Sequence, residues 1–144
     1  MSTTAWLIPI IVMMILTITS VLVALVSRIQ AIRKKQISPD DLKTMNFCKK
    51  EHPWLVITSR HLDNLFQMPV LFYICFIIIL SNPHLMKISY FLVLGWLFIS
   101  FRIINSIIHL TFNNLSLRLC SFLLSTTFLF TMILMLIIEI INLF

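Results

Sequence analysis

Glycine occurs once in the 144 residues, at Gly95, and acidic side chains occur five times, at Asp40, Asp41, Glu51, Asp63 and Glu139. With one glycine and no low-complexity tract there is no flexible linker, and so no tethered second domain. No internal repeat is present. The three cysteines, Cys48, Cys75 and Cys120, show no CxxC spacing, which excludes a disulfide framework or a zinc site of the usual kind. Histidine is equally uninformative about metal. His52, His61 and His84 have no ligand spacing with one another, and the first two read as surface residues beside Pro53.

What the chain has in excess is apolar surface. It is 60% hydrophobic and only 11% charged, with a mean hydropathy of +1.03. A soluble domain of this size could not hide that much in one core, so lipid must act as solvent for much of it. The net charge of +6 does not indicate nucleic acid, because the cations are neither dense nor on a soluble domain. Seven of the eleven lie between Arg28 and Lys50, the pattern of an orientation determinant in a membrane protein.

The sequence therefore predicts one all-α membrane domain over residues 1–144, a four-transmembrane-helix bundle with spans at about 5–33, 53–80, 88–112 and 116–142. The uncharged run from Ala5 to Ser27 has 23 residues, above the ~20 needed to cross the hydrocarbon. Its positive charges follow it, unlike those of a signal peptide. The basic loop, residues 34–52, is then cytosolic, with both termini outside. Within it Ser38-Pro39-Asp40-Asp41 reads as a helix start, and a short interfacial helix is expected to follow. Pro69 interrupts the second span and deprives the Leu65 carbonyl of its donor, which predicts a kink.

Two polar stripes lie inside these spans. Arg60, Asp63, Asn64 and Gln67 are spaced i, i+3, i+4, i+7, and so are Arg102, Asn105, Ser106 and His109, so each set projects from one helix face. An Arg at the bilayer centre costs roughly 2.5 to 3.5 kcal/mol by insertion scales, which marks both stripes as functional or as an interhelical seam. At ~1.5 Å per residue, Asp63 and Asn64 lie ~15 and ~16 Å below the inner end of their helix and Arg102 ~15 Å below the end of its own. Equal depth predicts an Asp63–Arg102 ion pair, with His109 close to the inner surface. Arg118, at the start of the fourth span, opposes the helix dipole, a placement that makes sense beside an anion and that would depress a thiol pKa. The residues read as a pocket for a polar, anionic small molecule open to the inner side, against the plainer reading of a polar zipper between helices. Glu139 is expected to reach water at the outer end of the fourth span.

The run Arg60-His61-Leu62-Asp63-Asn64-Leu65-Phe66-Gln67-Met68-Pro69 resembles the Arg-x-x-x-Asn-x-x-Glu motif, with Pro soon after, of the membrane-associated proteins in eicosanoid and glutathione metabolism, the MAPEG family. The segment from Arg102 through His109-Leu110-Thr111 to Arg118 and Ser121-Phe122 is similar to the microsomal glutathione transferase pattern, and Pro69-Val70-Leu71-Phe72-Tyr73 to its small bacterial branch. The resemblance covers about 80 residues over the second to fourth spans. It implies a homotrimer in a bacterial inner membrane, with glutathione as co-substrate held between protomers near the cytosolic surface. Carried over by position, Arg60, Asn64 and Gln67 would hold the peptide, joined by Arg33 or Arg28 from the first helix, with Asn105 and His109 in the same pocket. Arg118 would stabilise the thiolate. The chain departs from the family at Gln67, where the motif has Glu, and at His109, where it has Tyr.

The function expected is a membrane-bound glutathione-dependent transferase or peroxidase acting on a lipophilic electrophile or lipid hydroperoxide drawn from the bilayer. The alternative is a non-enzymatic trimer that binds a lipid headgroup or other small anion in the same pocket. An ion path along Asp63, Arg102 and His109 is a weaker reading, because a few groups on one side of a bundle do not make a continuous conduit.

Overall fold

The structure, a computed structural model, describes residues 3–35, 53–111 and 114–143. Four helices make up nearly all of it: α1 (Thr3–Arg33), α2 (Pro53–Ser81), α3 (Ser89–Leu110) and α4 (Leu115–Leu143), with a 3₁₀ turn at Leu85–Lys87 between α2 and α3. Each helix is long and apolar enough to cross a bilayer, and no strand occurs among the described residues. The molecule is the all-α, four-span bundle that its hydropathy predicts. The expected interfacial helix after Ser38, with Lys43, Lys49 and Lys50, lies outside the described residues.

Local chemistry fixes the helix ends. At the end of α1 the Lys34 and Lys35 amides bond back to the Gln30 and Ile32 carbonyls. Lys35 takes a φ of 54°, the left-handed closure that glycine usually supplies in other chains, at roughly 1 kcal/mol. Pro53 opens α2, where its missing amide is no loss. The Asn82 side chain accepts the His84 amide at 3.0 Å, turning the chain toward α3. Asn114 caps α4, its Oδ1 accepting the Ser116 and Leu117 amides at 3.0 and 3.2 Å. That cap explains why α4 begins at Leu115 and not at Ser116.

α1 packs mainly on α2 and α3 mainly on α4, with smaller contacts between the two pairs. The interior is divided in two along the membrane normal. In the half built from the start of α1, the end of α2, the start of α3 and the end of α4, the buried side chains are almost all apolar: Trp6, Met13, Phe72, Phe76, Ile79, Phe91, Phe98, Leu129, Met132 and Leu136. Aromatic rings dominate there, with centroids 4.5 Å apart for Phe72–Phe76, 5.0 Å for Phe72–Phe98 and 6.0 Å for Trp6–Phe76. Gly95 is required in this half, because a Cβ on it would sit 2.5 Å from Phe76 Cζ and 2.8 Å from Cε2. In the half nearest the basic loop the buried residues are mostly polar: Ser20, Ser27, Thr58, Ser59, His61, Arg102, Asn105, Ser106, His109, Ser121 and Ser125. Many of the hydroxyls bond carbonyls one turn back, such as Thr58 to Trp54 at 3.0 Å and Ser125 to Phe122 at 2.8 Å, which satisfies them without water.

Candidate functional site

The sequence-predicted site residues that are buried lie in the polar half of the bundle. On α3 the whole second stripe faces inward: Arg102, Asn105, Ser106 and His109 are all buried. On α2 the first stripe divides. Asn64 is half-buried, whereas Arg60, Asp63 and Gln67 are exposed and continue along the helix into exposed Val70, Ile74 and Ile77. The expected Asp63–Arg102 ion pair does not form. The Arg102 guanidinium instead donates through Nη1 to the Asn64 backbone carbonyl at 3.4 Å. Matching depths from the helical rise was sound, but depth leaves the angle around the helix undetermined. The inward face of α2 runs through Leu55, Thr58, Ser59, His61, Pro69, Phe72 and Phe76, and Asp63 lies off that face.

His61, placed at the surface by sequence, is buried. Its Nε2 lies 3.2 Å from Ser20 Oγ. The single Ser20 proton is already given to the Leu16 carbonyl at 2.9 Å, so Nε2 of His61 is the donor and carries the ring proton. The His61 and His109 rings meet edge to face with centroids 5.0 Å apart. His109 is also buried. Arg118 Nη1 approaches His109 Nδ1 at 3.4 Å. Arginine only donates, so in that contact Nδ1 accepts and His109 is the neutral, Nε2-protonated tautomer. A chain of side chains, Ser20, His61, His109 and Arg118, therefore runs across the bundle from α1 to α4.

Arg102 lies beside this chain. Its Cζ stands 5.4 Å from the Phe98 ring centroid and 5.2 Å from that of Phe122, so aromatic faces cover part of the charge. Asn64 and Asn105 line a cavity of about 220 Å³ with Leu115, Arg118, Leu119 and Phe122. Leu115 and Leu119 are exposed, so this cavity opens on the flank of the protomer. The same two asparagines, with His61, Arg102 and Ser106, line a narrower cleft further in. Of the two candidate arginines on α1, Arg28 is the one engaged with α2, donating to Ser59 Oγ at 3.3 Å. Arg33 is exposed on the last turn. At the opposite end of the bundle Glu139 accepts a hydrogen bond from the Tyr90 hydroxyl at 2.8 Å, so its reach is to α3 and not simply to water. Among the described residues no three His, Cys, Asp or Glu side chains gather as a metal site would need.

Sequence spacing thus found Asn64, Asn105, His109 and Arg118, which the structure gathers, and Arg60, Gln67 and Arg33, which it leaves on the protomer's outside. It missed His61 and Ser20. The signal for His61 lies in the apolar residues: stepping back from Ile79 through Phe76, Phe72 and Pro69 by threes and fours brings the inward face to His61.

Compared with known proteins, the chain matches one family model, described as the MAPEG family, over residues 4–138. No curated protein and no solved structure matches it.

Proposed function

The chain belongs to the MAPEG family, and from that premise we propose that this multi-pass membrane protein is a glutathione-dependent transferase or peroxidase that acts, as a homotrimer, on a lipophilic electrophile or lipid hydroperoxide. One observation carries the reading: the flank cavity in which Arg118, Asn64 and Asn105 meet. At about 220 Å³ it is smaller than the ~300 Å³ and upward of pockets that enclose such ligands alone. The exposed Arg60 and Gln67 have the chemistry to bind a peptide's carboxylates and amides, and a neighbouring copy would close the cavity around it.

In this reading the Arg118 guanidinium stabilises the glutathione thiolate and so lowers the cost of ionising the thiol. In transfer, the thiolate forms a C–S bond with the electrophile while the leaving group departs with its electron pair, and the thiol proton passes to water. In peroxide reduction, the thiolate takes the terminal peroxide oxygen and the O–O bond breaks. The alcohol leaves with a proton, and a second glutathione converts the sulfenic acid to disulfide and water. The cytosolic face would supply the peptide and the bilayer the apolar partner.

The test is calorimetry with glutathione on detergent-solubilised protein, together with the ultraviolet thiolate absorbance. If Arg118 lowers the thiol pKa by about two units from the ordinary value of about 8.5, Arg118→Ala cuts the thiolate fraction at pH 7 from about three-quarters to about 3%, roughly 25-fold. No glutathione binding, or undiminished activity in Arg118→Ala, would overturn the proposal. Gln67 favours a second reading, because an amide at the family's Glu position gives up the charge that would grip the peptide's amine. In that case the same pocket holds a lipid headgroup or small anion without chemistry, and calorimetry would show headgroup binding in place of glutathione binding.

A further inference from the structure

Below the basic end of α1 a groove of about 370 Å³ runs along the helix, lined by Thr19, Leu22, Val23, Val26 and Gln30, with Trp54 from the first turn of α2. On α1 these positions recur every three or four residues and so form one stripe. From Thr19 to Gln30 the stripe is ~16 Å long at the helical rise, about half of the ~30 Å hydrocarbon core, which is the depth of one leaflet. Ser27 Oγ and Thr58 Oγ1 are 3.2 Å apart, which sets the register of α1 on α2. Gln30 and Trp54, each about one turn nearer the surface, therefore share a level. The walls suit an acyl chain. Leu22 and Val26 are exposed, and the hydroxyls beside them are satisfied within the helix, Thr19 donating to the Ile15 carbonyl at 2.8 Å and Ser27 to the Ala24 carbonyl at 2.7 Å. Trp54 is 47% exposed at the mouth, the place an indole takes at the headgroup level of a bilayer. The next turn of the stripe is cationic: Arg33 and Lys34 lie three and four residues beyond Gln30, Lys35 follows, and all three are exposed. Neither of the two described acids offsets them. Asp63 lies ~14 Å further along α2 than Trp54, and Glu139 is bonded to Tyr90 at the opposite end of the bundle. The partial negative charge at the α1 C-terminus, about half a unit, is outweighed by three full positive charges.

We propose that this groove docks an anionic phospholipid from the leaflet on the side of the basic segment. One acyl chain lies along Leu22, Val23 and Val26, and the headgroup phosphate is held by Arg33, Lys34 and the Gln30 amide. The apolar wall would take a chain from any phospholipid, so charge does the selecting. Basic side chains next to a span attract anionic lipid, and their long stems let the charged ends reach the headgroup level. The groove shares no lining residue with the flank cavity. It is therefore separate from both the glutathione reading and the headgroup reading of that cavity.

The experiment is tryptophan quenching by brominated lipid, with the full chain reconstituted into phosphatidylcholine vesicles that contain a minor fraction of phosphatidylglycerol. Trp96→Phe leaves two emitters, and since Trp6 is fully buried, Trp54 is the one that lipid can touch. The bromines are carried on the acyl chains of one lipid or of the other. Brominated phosphatidylglycerol should quench at about a fivefold lower mole fraction than brominated phosphatidylcholine, the weight of one basic side chain at an anionic surface. Arg33→Gln combined with Lys34→Gln should bring the two lipids level, while the remaining cations of the basic segment keep the orientation of the chain. Val26→Phe, at an exposed position that tolerates bulk, fills the groove and should likewise remove the preference. Equal quenching by the two lipids in the parent chain, or a preference that survives either change, overturns the proposal. Quenching by neither lipid overturns it as well, because a second copy of the chain then covers the groove.

Discussion

Replacing Gly95 tests the packing that sets the angle of α3, and with it the inward turn of the Arg102 stripe. An added methyl group would lie 2.5 Å from Phe76 Cζ, 2.8 Å from Cε2 and 3.6 Å from Phe72 Cε2. Ordinary carbon contacts are ~3.5–4.0 Å, so the Phe76 ring must retreat by about 1 Å. It has little room, being fully buried between Phe72 at 4.5 Å and Trp6 at 6.0 Å. Overpacking of this kind costs roughly 1–3 kcal/mol, and this crowded case belongs in the upper half of that range. Alanine recovers about 1 kcal/mol of helix propensity relative to glycine. Gly95→Ala should therefore lose about 1–2 kcal/mol, and Gly95→Val, bulkier and β-branched, clearly more. The assay is reversible unfolding in mixed micelles, with Phe76→Leu as the second arm of a double-mutant cycle. Shortening the ring should relieve the clash, so the two changes should couple by more than 0.5 kcal/mol. A Gly95→Ala protein as stable as the parent, or one whose defect simply adds to that of Phe76→Leu, would refute the account of α2–α3 packing.

Asp63→Asn and Arg102→Met should be energetically independent, with a coupling within about 0.5 kcal/mol in an unfolding cycle, because the two residues do not touch; a strong coupling would restore the ion pair. Asn114→Ala should cost about 1 kcal/mol by removing the side chain that caps α4, and Asn114→Asp or Asn114→Ser should retain most of it. Equal stability of the Ala and Asp variants in thermal unfolding would remove the cap from the account.

The spans were legible because lipid solvation imposes a long apolar run on each helix, and no tertiary detail is needed to see one. The level of the site was legible too, since the helical rise is constant: Arg102 does meet the turn of Asn64. The azimuth was misread because it was taken from the polar residues. Polar residues at i, i+3, i+4, i+7 share a face with one another, but that spacing does not say whether the face points in or out. On α3 it points in, where Gly95, Phe98 and Ile99 continue it as core. On α2 the apolar core face passes through His61 and leaves Arg60, Asp63 and Gln67 on the other side. The Asn114 cap was hidden for a simpler reason: Asn113 and Asn114 are adjacent, and either could read as the turn.

The outward stripe on α2 constrains what surrounds the protomer. Neither Arg60 nor Asp63 is buried, yet both lie on a span continuous with the exposed Val70, Ile74 and Ile77, and by helical rise Asp63 is ~15 Å from the helix start. Facing acyl chains, such groups carry an insertion cost of a few kcal/mol each. Facing water alone, the apolar residues that follow on the same stripe would be misplaced. A second copy of the chain meets both demands, because a protein surface can take the apolar half by packing and the polar half by hydrogen bonding. The flank cavity is open at Leu115 and Leu119, so it also needs covering. Self-association with a heterologous contact, which closes into a ring when the rotation allows, brings unlike surfaces of neighbouring copies together. In the proposed homotrimer, the α2 stripe of one copy would meet the α4 flank of the next, and the proposed thiol site would be the joint between them.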